Sequence, residues 1–440
     1  MRSIKVGIIG LGTIGCGTLS ILAGNREVLS ERIGATIDVV RAADLDLDRT
    51  RPVEIPKSIL TSDALDVIRD DEVQIVVELI GGIEPAKSYI LEAIDRGKHV
   101  VTANKALLSE HWEELVEKAE EKGVCLLYEG SVAGGIPIIR AIKVGLVANR
   151  IRSVIGIING TCNYILSRMS SEKLAFDEVL TAAKEMGYAE ADPAMDVEGI
   201  DAAQKLSILV NLCFDVPVSY QDIPYQGITE LTPMDLEMAD EFGYRVKLLA
   251  SARSTDGKVE AWVHPALVPD KHPLAAVDNV YNAVYIEDDN LGPSLYYGRG
   301  AGDLPTGSAV VADIVSCARD ILSGAVGRVP VGGSRERLGS ALRPQLADDN
   351  ESEFYVRVTA KDRPGVLSTI AGILAQSDIS ISSVIQRGRE PVEGGGVPIV
   401  MIIHKASHSR MVQALAAIDA MDVTLGKNFY MRILPEGDVQ

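Results

Sequence analysis

The chain has 440 residues, of which 47% are hydrophobic and 24% are charged, and its formal net charge is −19. This composition predicts a globular protein of roughly two to four domains, and the negative charge argues against nucleic-acid binding and against attachment to anionic lipid. No apolar run is long enough to span a bilayer, and no signal peptide is recognisable. The five cysteines are dispersed without a CxxC pair, and the six histidines do not cluster with them. This pattern predicts reduced thiols, a cytoplasmic location and no structural zinc.

A glycine-rich loop follows the first predicted strand. The apolar run at residues 4–9 reads as a buried parallel strand, residues 10–15 spell GLGTIG, and a helical pattern comes next. In this context Gly10 is expected to form the tight turn, Gly12 to let the backbone approach a pyrophosphate, and Gly15 to let helix and strand pack closely. The N-terminal segment is therefore predicted to bind a dinucleotide.

The second predicted strand bears on which dinucleotide is bound. Asp44 stands at its end, where an acid can accept hydrogen bonds from the ribose hydroxyls of NAD. The acid lies about thirty residues after the glycine loop, rather than the usual twenty. Arg41 and Arg49 are near in sequence and could hold a 2′-phosphate instead. NAD and NADP therefore both remain open.

Two later strand ends carry charged side chains. Lys105 follows the strand KHVVTAN, at the edge where open α/β sheets bind ligands, although an ordinary loop lysine would look the same. Glu129 ends the next strand, and Gly134 and Gly135 follow it. Carbonyl oxygens of such a loop can surround a monovalent cation beside a carboxylate, whereas the alternative is a simple connection.

An acidic segment leads directly into a helix that carries a lysine. Residues 187–212 read GYAEADPAMDVEGIDAAQKLSILVNL, and Asp201 and Lys205 stand four positions apart on one helix face. Spacing alone would make them an ordinary ion pair worth roughly 0.3–0.5 kcal/mol. The sharper hypothesis is a lysine that transfers protons.

The last part of the chain changes character. A polar, aperiodic segment predicts a linker at residues 331–352. A βαββαβ pattern follows, which is the ferredoxin-like layout. Its DRPGVLSTIAGIL segment (residues 362–374) resembles the signature of ACT domains, which typically pair and bind amino acids at their interface.

Six motifs occur in an order that resembles one enzyme family. They are GLGTIG, TANKALL, EGSVAGGIP, NGTCNYIL, GYAEADPAMDVEGIDAAQKL and GRGAGDLPTGSAVVADI. Over essentially the whole chain, the sequence resembles homoserine dehydrogenases of the longer kind that carry a C-terminal ACT domain. The long acidic string ending in lysine is highly specific, whereas the dinucleotide motif is not.

The resemblance implies an α/β chain with a Rossmann-type parallel sheet, an α+β substrate and dimerisation domain, and a ferredoxin-like ACT domain. The implied boundaries are 1–130 for the dinucleotide domain, to which 303–330 return, 131–302 for the substrate domain, and 353–440 for the ACT domain. The implied reaction is reversible reduction of L-aspartate 4-semialdehyde to L-homoserine with NAD or NADP, in the biosynthesis of threonine, methionine and isoleucine.

The resemblance also implies roles for individual residues. Lys205 corresponds to the proton donor, Lys105 to a second active-site lysine near the nicotinamide, and Asp201 to the acid that orients the substrate. Glu190 and Asp196 correspond to further substrate-binding acids. The implied nucleotide contacts, besides Lys105 and Asp44, are Gly10, Leu11, Gly12, Thr13, Ile14, Gly15, Gly187 and Gly302. The implied sodium site consists of Glu129 with the carbonyls of Val132, Gly134 and Ile136.

Two further expectations follow from the resemblance: inhibition by L-threonine through the ACT domain, and a homodimer or homotetramer. Two alternatives stay open at this point. One is a dehydrogenase of a different small amino aldehyde or hydroxy acid, and the other is a non-catalytic sensor that binds NAD and an amino acid.

Overall fold

The computed structural model describes residues 2–334, 345–347, 349–386 and 396–435. Its architecture rests on two sheets. One is a parallel sheet of six strands formed by the N-terminal part of the chain, and the other is a mixed sheet of ten strands. The predicted mixed α/β class with an N-terminal Rossmann-type sheet is confirmed.

The parallel sheet has the strand order β3-β2-β1-β4-β5-β6. Its strands are β1 (Arg2–Ile9), β2 (Ala35–Ala43), β3 (Leu60–Thr61), β4 (Ile75–Glu78), β5 (His99–Thr102) and β6 (Leu126–Leu127). The helices of this part are α1 (Thr13–Gly24), α2 (Arg26–Ile33), α3 (Ala64–Arg69), α4 (Ala86–Asp95) and α5 (Lys105–Lys122). The direction of winding reverses between β1 and β4, and ligands bind at the carboxyl ends of strands at such a reversal.

The central part of the chain combines helices with long antiparallel strands. Its first elements are α6 (Ile138–Arg140), β7 (Ile151–Ile157), α7 (Gly160–Glu172), α8 (Phe176–Glu185), α9 (Ala194–Val197), α10 (Ile200–Phe214) and α11 (Pro233–Glu241). They are followed by β8 (Tyr244–Thr255), β9 (Lys258–Pro269), β10 (Tyr281–Asp288), β11 (Pro293–Arg299) and α12 (Asp303–Ser323).

Helix α12 lies against α1 of the first part. A Cβ atom built on Gly17 would stand 2.3 Å from the carbonyl oxygen of Asp303, and one built on Gly307 would stand 2.9 Å from the backbone of α1. The two helices therefore touch backbone to backbone where they cross. Beyond the crossing, α12 buries Ile314 and Cys317 in the apolar core shared with β1, β4 and β5.

The C-terminal part has the predicted ferredoxin-like layout. Its elements are β12 (Gln345–Leu346), β13 (Glu351–Ala360), α13 (Val366–Gln376), β14 (Ile381–Ile385), β15 (Val397–Ser407), α14 (His408–Asp419) and β16 (Phe429–Ile433). The last four strands are ordered β16-β13-β15-β14. Strand β16 also pairs in parallel with β9, Arg432 beside Ala266. One sheet therefore runs through both parts, which the predicted linker did not suggest.

Three helix starts predicted from the sequence differ from the structure: a cap at Thr161, one helix running on from Pro193, and a cap at Thr306. Helix α7 begins after Asn159, whose side-chain oxygen accepts the Cys162 amide, so the predicted cap at Thr161 is wrong. The helix predicted from Pro193 is broken at Gly199, whose φ of 88° separates α9 from α10. Helix α12 begins three residues before the predicted cap at Thr306.

In the C-terminal part, the sequence pattern predicts a last strand over residues 423–434, whereas β16 begins at Phe429. Most of the predicted linker (335–344 and 348), most of the glycine-rich connection between β14 and β15 (387–395), and the tail (436–440) lie outside the described residues. In the part of the chain that is described, no helix is long and apolar enough to cross a membrane.

Candidate active site

One buried carboxylate lies between two lysines. Asp201, in the first turn of α10, accepts a hydrogen bond from Lys205 Nζ on its Oδ2 atom at 2.7 Å, and Lys105 Nζ contacts its Oδ1 atom. Lys205 Nζ also donates to the carbonyl of Ile158 at 2.8 Å. The i, i+4 spacing predicted the first contact, whereas the second joins residues far apart in sequence. The structure thus brings all three predicted catalytic residues together.

The two lysines have different electrostatic surroundings. Lys205 is 9% exposed, and burial lowers the pKa of its ammonium group although the Asp201 carboxylate opposes that effect. The side chain of Lys105 is 40% exposed. Burial lowers its pKa, but the charge and hydrogen bond of Asp201, together with the charges of Asp196 and Glu190, outweigh burial and leave the pKa above its ordinary value. The pKa of Asp201 is lowered: burial raises it, and the two ammonium groups more than offset that. The cluster therefore holds one firmly charged lysine and one that releases its proton more readily.

An asparagine that the sequence did not single out links two acids of the site. Asn159 Nδ2 lies 2.8 Å from Asp201 Oδ2 and 2.7 Å from Asp196 Oδ1. The same residue caps α7 with its side-chain oxygen. Its position at the end of a predicted strand, directly before Gly160, was the available signal. Asn159 therefore fixes Asp196 beside the lysine cluster.

Lys105 is positioned by a hydrogen-bonded chain at the ends of β4 and β5. Glu78 is fully buried and accepts the Thr102 hydroxyl at 2.7 Å, and Thr102 Oγ1 accepts the amide of Asn104 at 3.0 Å. Asn104 then caps α5 by accepting the Leu107 amide at 3.1 Å. Lys105 thus begins a helix, at the edge of the sheet where a parallel α/β fold binds ligands. Neither Glu78 nor Asn104 was singled out from the sequence.

The segment before α9 brings a further acid near the cluster. Glu190 is exposed, and its charge together with that of Asp196 raises the pKa of Lys105. Gly187 is also exposed and has a φ of 75°, which favours glycine. The carbonyl of Tyr188 accepts the Thr161 hydroxyl at 2.9 Å, so this segment is tied to the start of α7. The open side of the cluster is therefore strongly acidic.

The glycine loop follows β1 on the same edge of the sheet. Gly10 has a φ of 98°, and a Cβ built there would stand 2.8 Å from the backbone of Leu79. A Cβ on Gly15 would stand 2.1 Å from the carbonyl oxygen of Gly10. Gly12 has no atom within 4 Å of a built Cβ, so its face is open. These three environments match the three roles predicted for the glycines and fit a pyrophosphate at the N-terminus of α1.

The remaining residues of the loop have distinct surroundings. Leu11 is buried, Ile14 is half-buried and Thr13 is exposed. The Leu11 amide donates to Asp44 Oδ2 at 2.8 Å, which ties the predicted ribose-binding acid to the loop. Gly302, the residue before α12, is exposed and has a φ of 119°.

One arginine that the sequence did not single out lies beside Asp44. Arg51 Nη2 lies 3.5 Å from Asp44 Oδ1, and only 6% of the Arg51 side chain is exposed. Arg51 and Arg49 both lower the pKa of the Cys16 thiol in α1, against the larger effect of burial. Arg41, by contrast, is paired with Asp70 at 2.8 Å. Arg51, which was not considered from the sequence, is therefore the arginine nearest the predicted ribose site.

The loop predicted to hold a cation follows β6. The Glu129 carboxylate accepts the amides of Ile139 and Arg140 at 2.8 and 2.9 Å, so it is bound to the start of a helix. Burial and the nearby Asp313 raise the pKa of Glu129 to about 7.

Gly134 has a φ of 54°, and a Cβ there would meet the Gly300 carbonyl at 2.3 Å. Val132 and Ile136 are buried, and the Ile136 carbonyl accepts the Ile138 amide at 2.8 Å. Carbonyl oxygens such as those of this loop are suitable ligands for a monovalent cation.

Three family models match successive parts of the chain. Residues 137–315 match the family described as homoserine dehydrogenase, residues 10–129 match its NAD binding domain, and residues 354–422 match the ACT domain. A homoserine dehydrogenase of Pseudomonas aeruginosa is 43% identical, with 98% of this chain and 99% of that one covered.

Solved structures show the same relationship. A crystal structure of a homoserine dehydrogenase from Thiobacillus denitrificans is 44% identical, covers 99% of each chain and has a TM-score of 0.90. A hyperthermophilic archaeal homoserine dehydrogenase in complex with NADPH is 26% identical, with a TM-score of 0.61, and covers 72% of this chain and 98% of that one. The chain therefore belongs to the homoserine dehydrogenase family and is an oxidoreductase with an NAD-binding domain.

Proposed function

We propose that Lys205, Lys105 and Asp201 carry out the reversible reduction of L-aspartate 4-semialdehyde to L-homoserine. The observation that supports this most strongly is the single buried carboxylate that both lysines share. A carboxylate shared in this way keeps both ammonium groups at one point. That arrangement suits a reaction in which negative charge develops on an aldehyde oxygen.

The two lysines have separate tasks in the proposed reaction. A nicotinamide nucleotide, when bound, supplies or accepts the hydride. Lys205, whose pKa is lowered by burial, donates a proton to the aldehyde oxygen during reduction and accepts it during oxidation. Lys105, whose pKa is raised, stays charged and stabilises the negative charge on that oxygen. Asp201 orients both ammonium groups.

The acidic side of the cluster is proposed to bind the substrate's amino group. Glu190 and Asp196 act on Lys105 electrostatically, so they lie near the place of reaction. Asn159 holds Asp196 beside Asp201. An ammonium group of an amino-acid substrate would complement these carboxylates, and a simple aldehyde without that group would bind poorly.

The nucleotide is proposed to lie along residues 10–15, with Lys105, Gly187 and Gly302 at its nicotinamide end. Its adenosine end would meet Asp44, which favours NAD, and Arg49 and Arg51, which favour the 2′-phosphate of NADP. Because an acid and two arginines share this place, we propose that the enzyme uses both nucleotides.

A sodium ion is proposed to be held by Glu129 together with the carbonyls of Val132, Gly134 and Ile136. The consecutive positive φ angles at Ala133 and Gly134 support this, since they turn neighbouring carbonyls away from a regular strand. Its role would be structural, because this loop contacts Gly300, two residues before the proposed nucleotide contact at Gly302. Removing sodium is expected to weaken nucleotide binding.

The C-terminal module is proposed to confer inhibition by L-threonine. Its ferredoxin-like fold and its direct strand pairing with β9 support a route from an effector to the catalytic part.

The domain boundaries 1–130, 131–302 and 353–440 are retained as proposals. A cytoplasmic location and a place in threonine, methionine and isoleucine biosynthesis are retained as proposals too.

A homodimer or homotetramer is also proposed. Exposed apolar side chains on the edge strand β11, Leu295 and Tyr297, which are 42% and 54% exposed, support association through this part of the sheet. Light scattering of the purified chain would give its mass in solution.

The testing experiment measures homoserine-dependent reduction of NAD and of NADP, each with and without L-threonine. We expect turnover with both nucleotides and inhibition by threonine. Turnover with another amino alcohol but none with homoserine would favour a different dehydrogenase. Tight nucleotide binding without turnover on any such substrate would favour a sensor.

A further inference from the structure

A pair of cysteines meets in the core beneath the parallel sheet. Cys125 precedes β6 and Cys317 lies in α12, and both are buried, with 7% and 0% of their surface exposed. The reactive atoms of Cys125, Cys317 and His99 all lie within 4.8 Å of one another. The spacing of these residues in sequence does not predict the cluster. His99 begins β5, Cys125 directly precedes β6, and Cys317 lies in the distant helix α12.

The histidine is fixed by a backbone contact. The Cys125 amide donates to His99 Nδ1 at 3.0 Å, so the neutral ring carries its proton on Nε2. The lone pair that a metal ion would need at Nδ1 is therefore already engaged. Ligation through Nε2 would require a second deprotonation of the ring. Metal binding by this cluster is therefore disfavoured. We treat Cys125 and Cys317 as a pair of thiols next to the His99 imidazole.

The two sulfurs are chemically unequal. A hydrogen bond from Cys317, together with His99, lowers the pKa of the Cys125 thiol against the effect of burial. The same contact raises the pKa of Cys317. A thiol that ionises readily next to one that does not is the usual arrangement of an attacking and a resolving cysteine.

A cavity of about 450 Å³ gives access to one of the two sulfurs. Cys125 lines this cavity together with Tyr128, Lys143 and Asp320. Cys317 lies behind Cys125 and has no exposed surface. Burial lowers the pKa of Lys143 to about 8, and the charges of Asp313, Glu129 and a Cys125 thiolate oppose that effect. The Lys143 ammonium group is therefore close enough to interact with that thiolate. A small oxidant would therefore meet Cys125 first.

We infer that Cys125 and Cys317 form a reversible, peroxide-sensitive thiol pair. The Cys125 thiolate attacks one oxygen of hydrogen peroxide and breaks the O–O bond, which yields a sulfenic acid and, after protonation, one water. The Cys317 sulfur then attacks the sulfur of Cys125, and a second water leaves as the disulfide forms. The two thiols lose two electrons in total, and the peroxide gains them. A dithiol reductant reverses the step.

The disulfide would act on the nucleotide-binding part of the enzyme. Bond formation requires the sulfurs to approach to about 2.05 Å, which draws α12 toward β6. Helix α12 crosses α1 backbone to backbone at Gly17 and Gly307, and α1 begins at the glycine loop. A shift of α12 is therefore expected to raise the KM for the nucleotide, by about fivefold.

The test treats the full-length enzyme with hydrogen peroxide and maps disulfides by mass spectrometry of a non-reducing digest. We expect one cross-link between the peptides that contain Cys125 and Cys317, with loss of two thiols per chain, and recovery with dithiothreitol. Preferential oxidation of Cys213, which is more exposed than either member of the pair, would overturn the inference. So would a tightly bound metal ion, found by elemental analysis, that protects the thiols.

Two variants separate the roles of the sulfurs. Cys317→Ala should trap the Cys125 sulfenic acid, which dimedone labels, whereas Cys125→Ala should prevent both labelling and cross-linking. Cys213→Ala is the matched control and should behave as the unchanged enzyme. Disulfide mapping uses the wild-type enzyme. It therefore tests the inference even if a variant folds poorly. An oxidised enzyme with an unchanged nucleotide KM would overturn the proposed link to the glycine loop.

Discussion

Two lysines, Lys205 and Lys247, are buried in the central part of the molecule, yet their surroundings differ. Each ammonium group contacts one carboxylate and one backbone carbonyl, and burial lowers the pKa of each. Lys247 pairs with Asp278, whose side chain is 59% exposed. Lys205 pairs with Asp201, whose side chain is 4% exposed and which also contacts Lys105. Burial of a lysine is therefore not enough to indicate catalysis, whereas a buried carboxylate shared with a second, half-exposed lysine is a stronger sign.

The largest expected effect comes from exchanging each of these lysines for methionine. Lys205→Met should lower kcat by about 100- to 10,000-fold, because the proton donor is lost, while the nucleotide Kd stays nearly unchanged. Lys247→Met should leave kcat within about twofold and lower the Tm, because the Val277 carbonyl keeps only its weaker donor, Asn163 Nδ2. Loss of the charged donor is expected to cost about 1.5–3 kcal/mol. Steady-state kinetics, nucleotide fluorescence and thermal unfolding measure these three quantities. Near-normal turnover of Lys205→Met would show that the donor is assigned wrongly.

Asp201→Asn tests the shared carboxylate through pH. The Asp201 charge raises the pKa of Lys205, so removing it should lower that pKa further. In the proposed reaction, oxidation of homoserine needs Lys205 as a neutral base, so its rate should rise as pH passes upward through the Lys205 pKa. In the variant, this rise should occur at lower pH, with a reduced maximum because Lys105 loses its partner. An unshifted profile of kcat against pH would contradict the role of Asp201.

A smaller and more selective effect is expected from Arg51→Gln. The KM for NADP should rise about tenfold, because a charge-assisted contact to the 2′-phosphate is lost, and the KM for NAD should change little. Arg41→Gln is the matched control, since Arg41 pairs with Asp70 and should affect neither nucleotide. Equal changes for both nucleotides in Arg51→Gln would mean that Arg51 supports the loop rather than the phosphate.

The smallest effect is expected from Asn159→Ser. Serine can still cap α7, so the free energy of unfolding should change little, whereas the amide bridge between Asp196 and Asp201 is lost. We expect kcat/KM to fall about fivefold, since about 1 kcal/mol is typical of one hydrogen bond. Asn159→Ala removes the cap as well and should lower stability by about 0.5–2 kcal/mol. Kinetics with chemical denaturation would separate the two functions of this side chain.

Local patterns predicted the features that depend on neighbours in sequence. The glycine loop, the shared face of Asp201 and Lys205, and the ferredoxin-like order of the last four strands follow from short-range periodicity and spacing. The contact between Lys105 and Asp201 could not be derived in that way, because two different parts of the fold supply the partners. For that contact, only the resemblance to a family placed both residues in one site.

Other features had no local signature at all. Arg51 lies beside Asp44 because the chain folds back after β2, and the sequence could not distinguish it from Arg41 or Arg49. Asn159 was visible as the end of a strand, but its bridge to Asp196 and Asp201 depends on where α9 and α10 begin. The pairing of β16 with β9 involves only two residue pairs and leaves no pattern in composition or period.

That short pairing bears on how the chain can be divided. Strand β9 has β8 on one side, and on the other it meets β16 and β12, both of which come from residues after 344. A protein shortened before residue 345 would leave that side of β9 with free amide and carbonyl groups, and such an edge promotes aggregation. Truncation would therefore lower solubility as well as remove the ACT domain. A shortened enzyme that responds abnormally to threonine would need its association state measured before the change is attributed to lost regulation.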